Sequence, residues 1–349
     1  MAEQNTEEKQ VRMPDLSRLV ISSSPHLHRD NSIRKTMLSV IVALLPCAAA
    51  SVYFFGVRAL WVMLVTVASC VAVEAIANAM MKRPSTIGDC SAALTGLILA
   101  LNMPPTVPEW CCVVGSIFAI GLGKMVYGGL GYNPFNPALV GRLVLLLAVP
   151  EIMNTFIAPV KGISVWATGA ETVTSATPLT MQWLDGCSQN GIFTYTDLFW
   201  GKIPGSLGET SFFAILIGGV FLMARRLIRW QVPLCYIGTV ALITGLAHAI
   251  SPENPHFTPL TVQVMAGGLA FGAFFMATDM VTTPVNRAGS VIFGVGCGII
   301  TSVIRLWGSY PEGSTYGILI MNALTPLIDK LTAGKPFGMR CTAKEVKRG

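Results

Sequence analysis

The sequence predicts an all-α, polytopic membrane protein of about ten transmembrane helices, folded as two inverted repeats of five that include short and discontinuous members. Three observations lead there. Hydrophobic residues make up 52% of the 349 residues and charged ones only 12%, where soluble domains carry about 25% charged. Residues 36 to 57, 230 to 252 and 254 to 278 contain no Asp, Glu, Lys or Arg, so a single large soluble core would lack its charged shell. The apolar runs also form two sets with a similar order of long and short members, separated by one long loop.

In chain order, residues 1–35 are polar and charged, and form a cytoplasmic N-terminal segment. They have no basic-then-apolar start, so no cleaved signal peptide is expected. The first repeat, 36–149, holds spans near 36 to 55, 59 to 80, 87 to 101, 109 to 124 and 134 to 149. A loop, 150–208, follows. The second repeat, 209–331, holds spans near 209 to 225, 231 to 250, 260 to 276, 288 to 304 and 313 to 330, and a cytoplasmic tail runs from 332 to 349. In each set the first two spans are uninterrupted, while the third and fifth are short and bounded by Pro, Gly, Asn or Asp, as broken helices are. Because five is odd, the second set enters the membrane from the opposite side.

Orientation follows from Lys and Arg, which collect on the cytoplasmic side of short loops. With the N-terminus inside, nineteen of the 24 basic residues, Lys124 among them, fall on the cytoplasmic side. Four, Arg58, Lys161, Lys202 and Arg305, fall outside, and Arg142 lies within a span. Both termini are then cytoplasmic and the 150–208 loop faces the other compartment. The net charge of +6 says little about nucleic acid, and no nucleic-acid partner is expected.

Glu74, Asp89, Arg142, Asp279, Arg305, Glu312 and Asp329 fall within or at the edges of apolar segments. An unpaired charge at mid-depth costs at least about 2.5–3.5 kcal/mol, so these residues face protein or water. They form either structural pairs between the repeats or an internal polar pathway for an ion. Backbone breaks cluster beside them. GYNPFNPALVGR (131 to 142) places Pro134 and Pro137 at the first turn of a span, with Asn133 and Asn136 as caps. Nine cysteines show no CxxC pair, the four histidines have no metal spacing, and no nucleophile–histidine set or phosphate-cradling glycine motif appears.

Several blocks in order carry a family resemblance: SSPHLHRDNSIRK (23 to 35), STIGDCSAALTGLILALNMPP (85 to 105), GYNPFNPALVGR, TSATPLT (174 to 180), FFMATDMVTTP (274 to 284) and YPEGSTYGILIMNALTPLID (310 to 329). Together, over roughly 23 to 335, they resemble the D subunits of Rnf electron-transport complexes and their relatives, the B subunits of the sodium-pumping NADH:quinone reductase. The resemblance implies an FMN joined through its phosphate to a threonine in a loop motif S/T-G-A-T, by a flavin transferase that acts outside the cytoplasm. The matching acceptor is Thr177, preceded by Thr174, Ser175 and Ala176, with Ser175 standing where the motif has Gly. The chemistry asks for an accessible hydroxyl on a small-residue turn, in a loop that charge counting independently places outside.

The implied function is that of a flavin-carrying component of a ferredoxin:NAD oxidoreductase that moves Na⁺ or H⁺ across a bacterial inner membrane. It is not expected to be catalytic alone, and its partners would be the A, B, C, E and G components of the Rnf complex. Relatives can also hold a non-covalent riboflavin. The alternative is a channel or transporter for a small polar solute with urea-transporter-like architecture, and a third reading is a structural scaffold.

Overall fold

A computed structural model describes residues 32–157, 177–179, 195–251, 259–308 and 313–333. Among the described residues no β-strand occurs. The first set of helices is α1 (Ile33–Phe55), α2 (Val57–Met80), α3 (Ser91–Leu101), α4 (Glu109–Ser116), which passes into a π-helical stretch (Ile117–Met125), and α5 (Pro137–Ala148). Two short helices follow, α6 (Pro150–Met153) and α7 (Tyr195–Trp200). The second set is α8 (Phe212–Ala224), α9 (Gln231–Ile250), α10 (Leu260–Met265), α11 (Leu269–Phe271), which runs into a π stretch (Gly272–Met276), α12 (Arg287–Trp307) and α13 (Ser314–Thr332).

Local chemistry fixes the boundaries. Ser32 Oγ accepts from Lys35 N at 3.2 Å and starts α1. Gly56, at φ 71°, allows α1 and α2 to be joined through one residue. Arg58 therefore sits in the first turn of α2, where it donates to Glu109 Oε1 at 2.6 Å and Val107 O at 2.7 Å. Asn136 Oδ1 accepts from Ala138 N at 3.1 Å with Pro137 at the first helical position, while Pro134 lies in the preceding turn rather than in the helix.

The first helix of the second set is uninterrupted as expected, with 13 residues, and Ser211 caps it at Phe212 through Ala214 N. One length expectation fails: the fifth is 19 residues rather than short, since Pro326 is absorbed inside it, as buried helices in membranes allow. The third members are broken as expected. In the first set a 3₁₀ turn (Ile87–Asp89) precedes α3, and in the second the run from 260 to 276 divides at Ala266, Gly267 and Gly268.

By length and composition α1, α2, α9 and α12 can each cross a membrane, and α3, α5 and α8 are shorter apolar helices. Large apolar side chains such as Val42, Leu45, Leu64 and Leu242 lie exposed along the long helices, the outward surface that lipid requires. Packing follows one pattern in both sets: α2 holds α3 and α4 as α9 holds the α10–α11 segment and α12. The sets meet first helix to first helix, α1 on α8, and fifth to fifth, α5 on α13. At the α1–α8 contact a Cβ on Gly218 would run into the Ala43 carbonyl and one on Gly219 into the Phe274 ring, so only glycine permits this approach. Leu44, Leu99, Leu139, Phe271 and Phe293 are fully buried in one apolar cluster that runs through both sets.

Candidate functional site

Three polar clusters interrupt that interior. The first joins the two sets. Arg142, on α5, is 2% exposed, and its Nη1 donates to Asn102 Oδ1, at the end of α3, and to Glu209 Oε1 at 3.3 Å. The carbonyls at the end of α3 are taken by the stretch of chain leading to α8: Gly208 N donates to Leu101 O at 2.6 Å and Leu207 N to Met103 O at 3.0 Å. Gly268 stands just before α11, and a Cβ there would land on Glu209 Oε1, so the missing side chain makes room for the carboxylate. A half-helix end at depth must have its carbonyls satisfied by protein, and this cluster does so.

The second cluster belongs to the first set. Lys124 Nζ lies 2.7 Å from Glu74 Oε2 and 2.7 Å from Ser91 Oγ, with both ionised groups buried. Thr86 Oγ1 donates to Glu74 Oε1, and Asn78 Nδ2 donates to Thr86 Oγ1 at 2.9 Å. Lys124 thus stands buried at the end of its span. The π stretch turns it inward, where the charge of Glu74 offsets its desolvation. Beside the pair, a cavity of about 90 Å³ opens between the sets, walled by Ser91, Lys124, Asn133, Asn136, Thr278 and Asp279. Asn136 Nδ2 donates to Met276 O at 3.2 Å, capping the second π stretch from the other set. The Asp279 carboxylate accepts from Val281 N at 3.5 Å and from Thr282 Oγ1 at 3.4 Å.

The third cluster lies by the short segment that carries the motif threonine. Thr177 is 5% exposed, which corrects the expectation of an open hydroxyl. Two residues on, Leu179 is buried among Leu198, Ile203, Val262 and Ala266, and this docking draws the segment against α7 and α10. Arg305, fully buried near the end of α12, donates through Nη1 to Gln263 O at 2.7 Å and Gln263 Oε1 at 3.2 Å. Its Nη2 and Leu179 Cδ1 lie 3.0 Å and 3.1 Å from where a Cβ of Gly267 would stand. Gly267 has φ 70°, a conformation that favours glycine and keeps the space open.

The charges read from the sequence are therefore distributed, not gathered. Arg142 enters the first cluster and Arg305 the third. Asp279 lies in the turn before α12, and the 21 residues of that helix, about 30 Å, separate it from Arg305. Asp89 is half-buried on another cavity wall with Arg83, Thr86 and Gly128, and Asp329 accepts from Val285 N at 3.0 Å. Thr174, Ser175 and Glu312 lie outside the described residues. Glu209, Asn102 and Gln263 join these clusters without having stood out in the sequence. Glu209 had a signal, a carboxylate directly ahead of an apolar run, whereas an isolated amide has none.

The chain is similar over most of its length to proteins of known name. A family model described as the NQR2, RnfD, RnfE family matches residues 20–338. The chain is 43% identical over 330 residues to the D subunit of the proton-translocating ferredoxin:NAD(+) oxidoreductase complex of Clostridium ljungdahlii, covering 92% of this chain and 96% of the relative. It is 40% identical over 331 residues to the Na(+)-translocating counterpart of Acetobacterium woodii, covering 94% and 98%. It is also 40% identical over 336 residues to the D subunit of the ion-translocating oxidoreductase complex of Stutzerimonas stutzeri, covering 90% and 94%. With its long apolar helices and lipid-type surface, the chain is a multi-pass membrane protein, and it belongs to the NQR2, RnfD, RnfE family.

Proposed function

We propose that this chain is the FMN-carrying D component of an ion-translocating ferredoxin:NAD oxidoreductase complex in the membrane, with the flavin esterified to Thr177. The observation that carries the reading is its likeness, over at least nine-tenths of its length, to relatives named as that component, together with the attachment-type motif TSATPLT. The acceptor stands two residues before Leu179, which is anchored among Leu198, Ile203, Val262 and Ala266. When bound, FMN supplies stepwise electron transfer.

The residues of the chain then have distinct tasks. Thr177 holds the group, Leu179 fixes its segment to α10, and the Arg142–Asn102–Glu209 cluster keeps the two helix sets in register. The repeated packing pattern supports two inverted repeats of five, and the basic asymmetry supports an inner-membrane topology with both termini cytoplasmic and the flavin loop outside. A second, non-covalent riboflavin belongs to the same reading. Partners are the A, B, C, E and G components of the complex, and a flavin transferase matures the protein. The coupled ion is Na⁺ or H⁺, and relatives named for each are similarly close, at 40% and 43% identity.

The test is the intact mass of the chain purified from cells that contain the transferase. One esterified FMN, absent from Thr177→Ala, is expected. A chain with no covalent flavin, or with flavin retained in Thr177→Ala, overturns the assignment.

A further inference from the structure

We propose that the turn between α8 and α9, together with the start of α12, binds the headgroup of an anionic phospholipid, with Arg229 gripping its phosphate. A cavity of about 280 Å³ opens there, walled by apolar Ile228, Val232 and Pro284 and by polar Arg229, Thr283 and Ser290. The donors it has left decide what it can hold. Thr283 Oγ1 donates to Asp279 O at 2.8 Å and Ser290 Oγ to Asn286 O at 3.0 Å, so both hydroxyl protons are taken by backbone carbonyls. Arg229 Nη1 donates to Val285 O and, at 3.4 Å, to Ser290 Oγ. These contacts hold the guanidinium through one nitrogen and leave its Nε–Nη2 edge, which among the described residues meets no carboxylate. That edge is a two-pronged donor matched to a pair of phosphate oxygens.

The surroundings select a net negative charge. Arg225 and Arg226 lie in the same turn and Arg287 opens α12, all three exposed. The neighbouring carboxylates are engaged, Asp279 by Val281 N and Thr282 Oγ1 and Asp329 by Val285 N. Arg226 stands at φ 55°, the left-handed position that ends α8, with its own N–H on Met223 O at 2.9 Å and Leu227 N on Leu222 O at 3.0 Å. Glycine suits that position best, so the backbone supplies no reason for an arginine there. The surface leading away suits acyl chains. α9 and α12 are each long and apolar enough to cross a membrane. Trp230, 58% exposed, follows Arg229 as indoles do at headgroup level, and Leu234, Val291 and Ile292 are exposed in the turns of α9 and α12 beyond it. A free anion would use only the arginines, whereas a phospholipid uses this apolar strip as well. Basic pockets between spans on the cytoplasmic side hold anionic headgroups, and the proposed orientation places this rim there.

The test is native mass spectrometry of the full chain, delipidated in detergent and titrated separately with dioleoylphosphatidylglycerol, dioleoylphosphatidylcholine and inorganic phosphate. Melting in the same detergent checks folding. The parent chain is expected to bind phosphatidylglycerol at least about tenfold more tightly than phosphatidylcholine, because several basic residues act on one headgroup. Arg229→Gln keeps a donor for Val285 O and should lower that affinity about fivefold or more, whereas Lys82→Gln, exposed at the end of α2, should leave it within about twofold. Arg226→Gly removes a charge and relaxes the backbone, so it should weaken phosphatidylglycerol binding at least about threefold without lowering melting. Equal binding of the two lipids, or equal losses in Arg229→Gln and Lys82→Gln, overturns the proposal. Inorganic phosphate bound as tightly as phosphatidylglycerol would make this a site for a free anion and overturns the lipid assignment. Should Arg229→Gln not accumulate, Arg226→Gly decides: unchanged affinity overturns the proposal, and the expected loss at parental melting supports it. None of these readouts involves flavin, so they stand or fall apart from the Thr177 reading.

Discussion

Lys124→Met tests the buried pair of the first helix set. Methionine has nearly the length of lysine and suits the apolar surroundings of the π stretch, so the substitution removes the ammonium while leaving little space. What remains is Glu74, fully buried, with Thr86 Oγ1 still donating to Oε1 but nothing in place of the ammonium 2.7 Å from Oε2. Leaving one member of a buried ion pair uncompensated costs about 3–5 kcal/mol, although the intact pair itself adds little net stability over an apolar replacement. The double variant Glu74→Gln with Lys124→Met removes both charges and keeps an oxygen for Thr86. It should recover most of the loss, to within about 1–2 kcal/mol of the parent. The assay is apparent melting in detergent, followed by size-exclusion profile and near-ultraviolet circular dichroism. The expected order is parent, then the double variant slightly below, with Lys124→Met well beneath both. If Lys124→Met melts with the parent, or the double variant is no better than the single, the two groups are not coupled and the inward position of Lys124 is wrong.

The other expectations concern the remaining clusters. Thr177→Ala should abolish in-gel flavin fluorescence while Thr180→Ala retains it; loss only in Thr180→Ala would move the acceptor. Gly268→Ala pushes a methyl onto Glu209 Oε1 and should cost about 1–3 kcal/mol by overpacking, read as reduced melting; an unchanged melting curve would mean that the carboxylate does not rest there. Asp279→Asn keeps an oxygen for Val281 N and can turn its amide N–H toward Thr282 Oγ1, so we expect normal accumulation and flavin content, and failure to accumulate would show that the carboxylate charge is structural. A reporter near Gly191 should read outside and one near Arg226 inside; finding both on one side would reject the orientation.

Much of the helix inventory is legible in the sequence because uninterrupted apolar runs end where the backbone is forced to. The run from 231 to 250 coincides with α9, Gln231–Ile250, and the first run needs only small shifts around Gly56. Breaks in the third members are also readable from Gly, Asn and Asp. How they divide is not, since the pause at Ala266–Gly268 depends on Glu209 filling the space beside Gly268. Charge counting sees Lys124 only as a basic residue at the end of a span, and not its burial, since the carboxylate that draws it inward is 50 positions away. Local pattern likewise marks the threonine motif as a turn but not its burial, which arises when Leu179 meets Val262 and Ala266.

The docked state of Thr177 bears on the order in which the protein matures. With its hydroxyl only 5% exposed and Leu179 covered by two other helices, the finished fold offers a transferase little to grip. On the reading that Thr177 carries FMN, the enzyme competes with folding: it must reach the segment while that segment is still undocked, or wait for it to open again. Burial of a leucine side chain is worth about 1.5–3 kcal/mol, so reopening leaves roughly one chain in ten to one in a hundred available at a time. Loading would then be quick on nascent chains and slow on assembled ones, and a chain that closed early would persist as a blank, folded and inserted but unable to carry electrons.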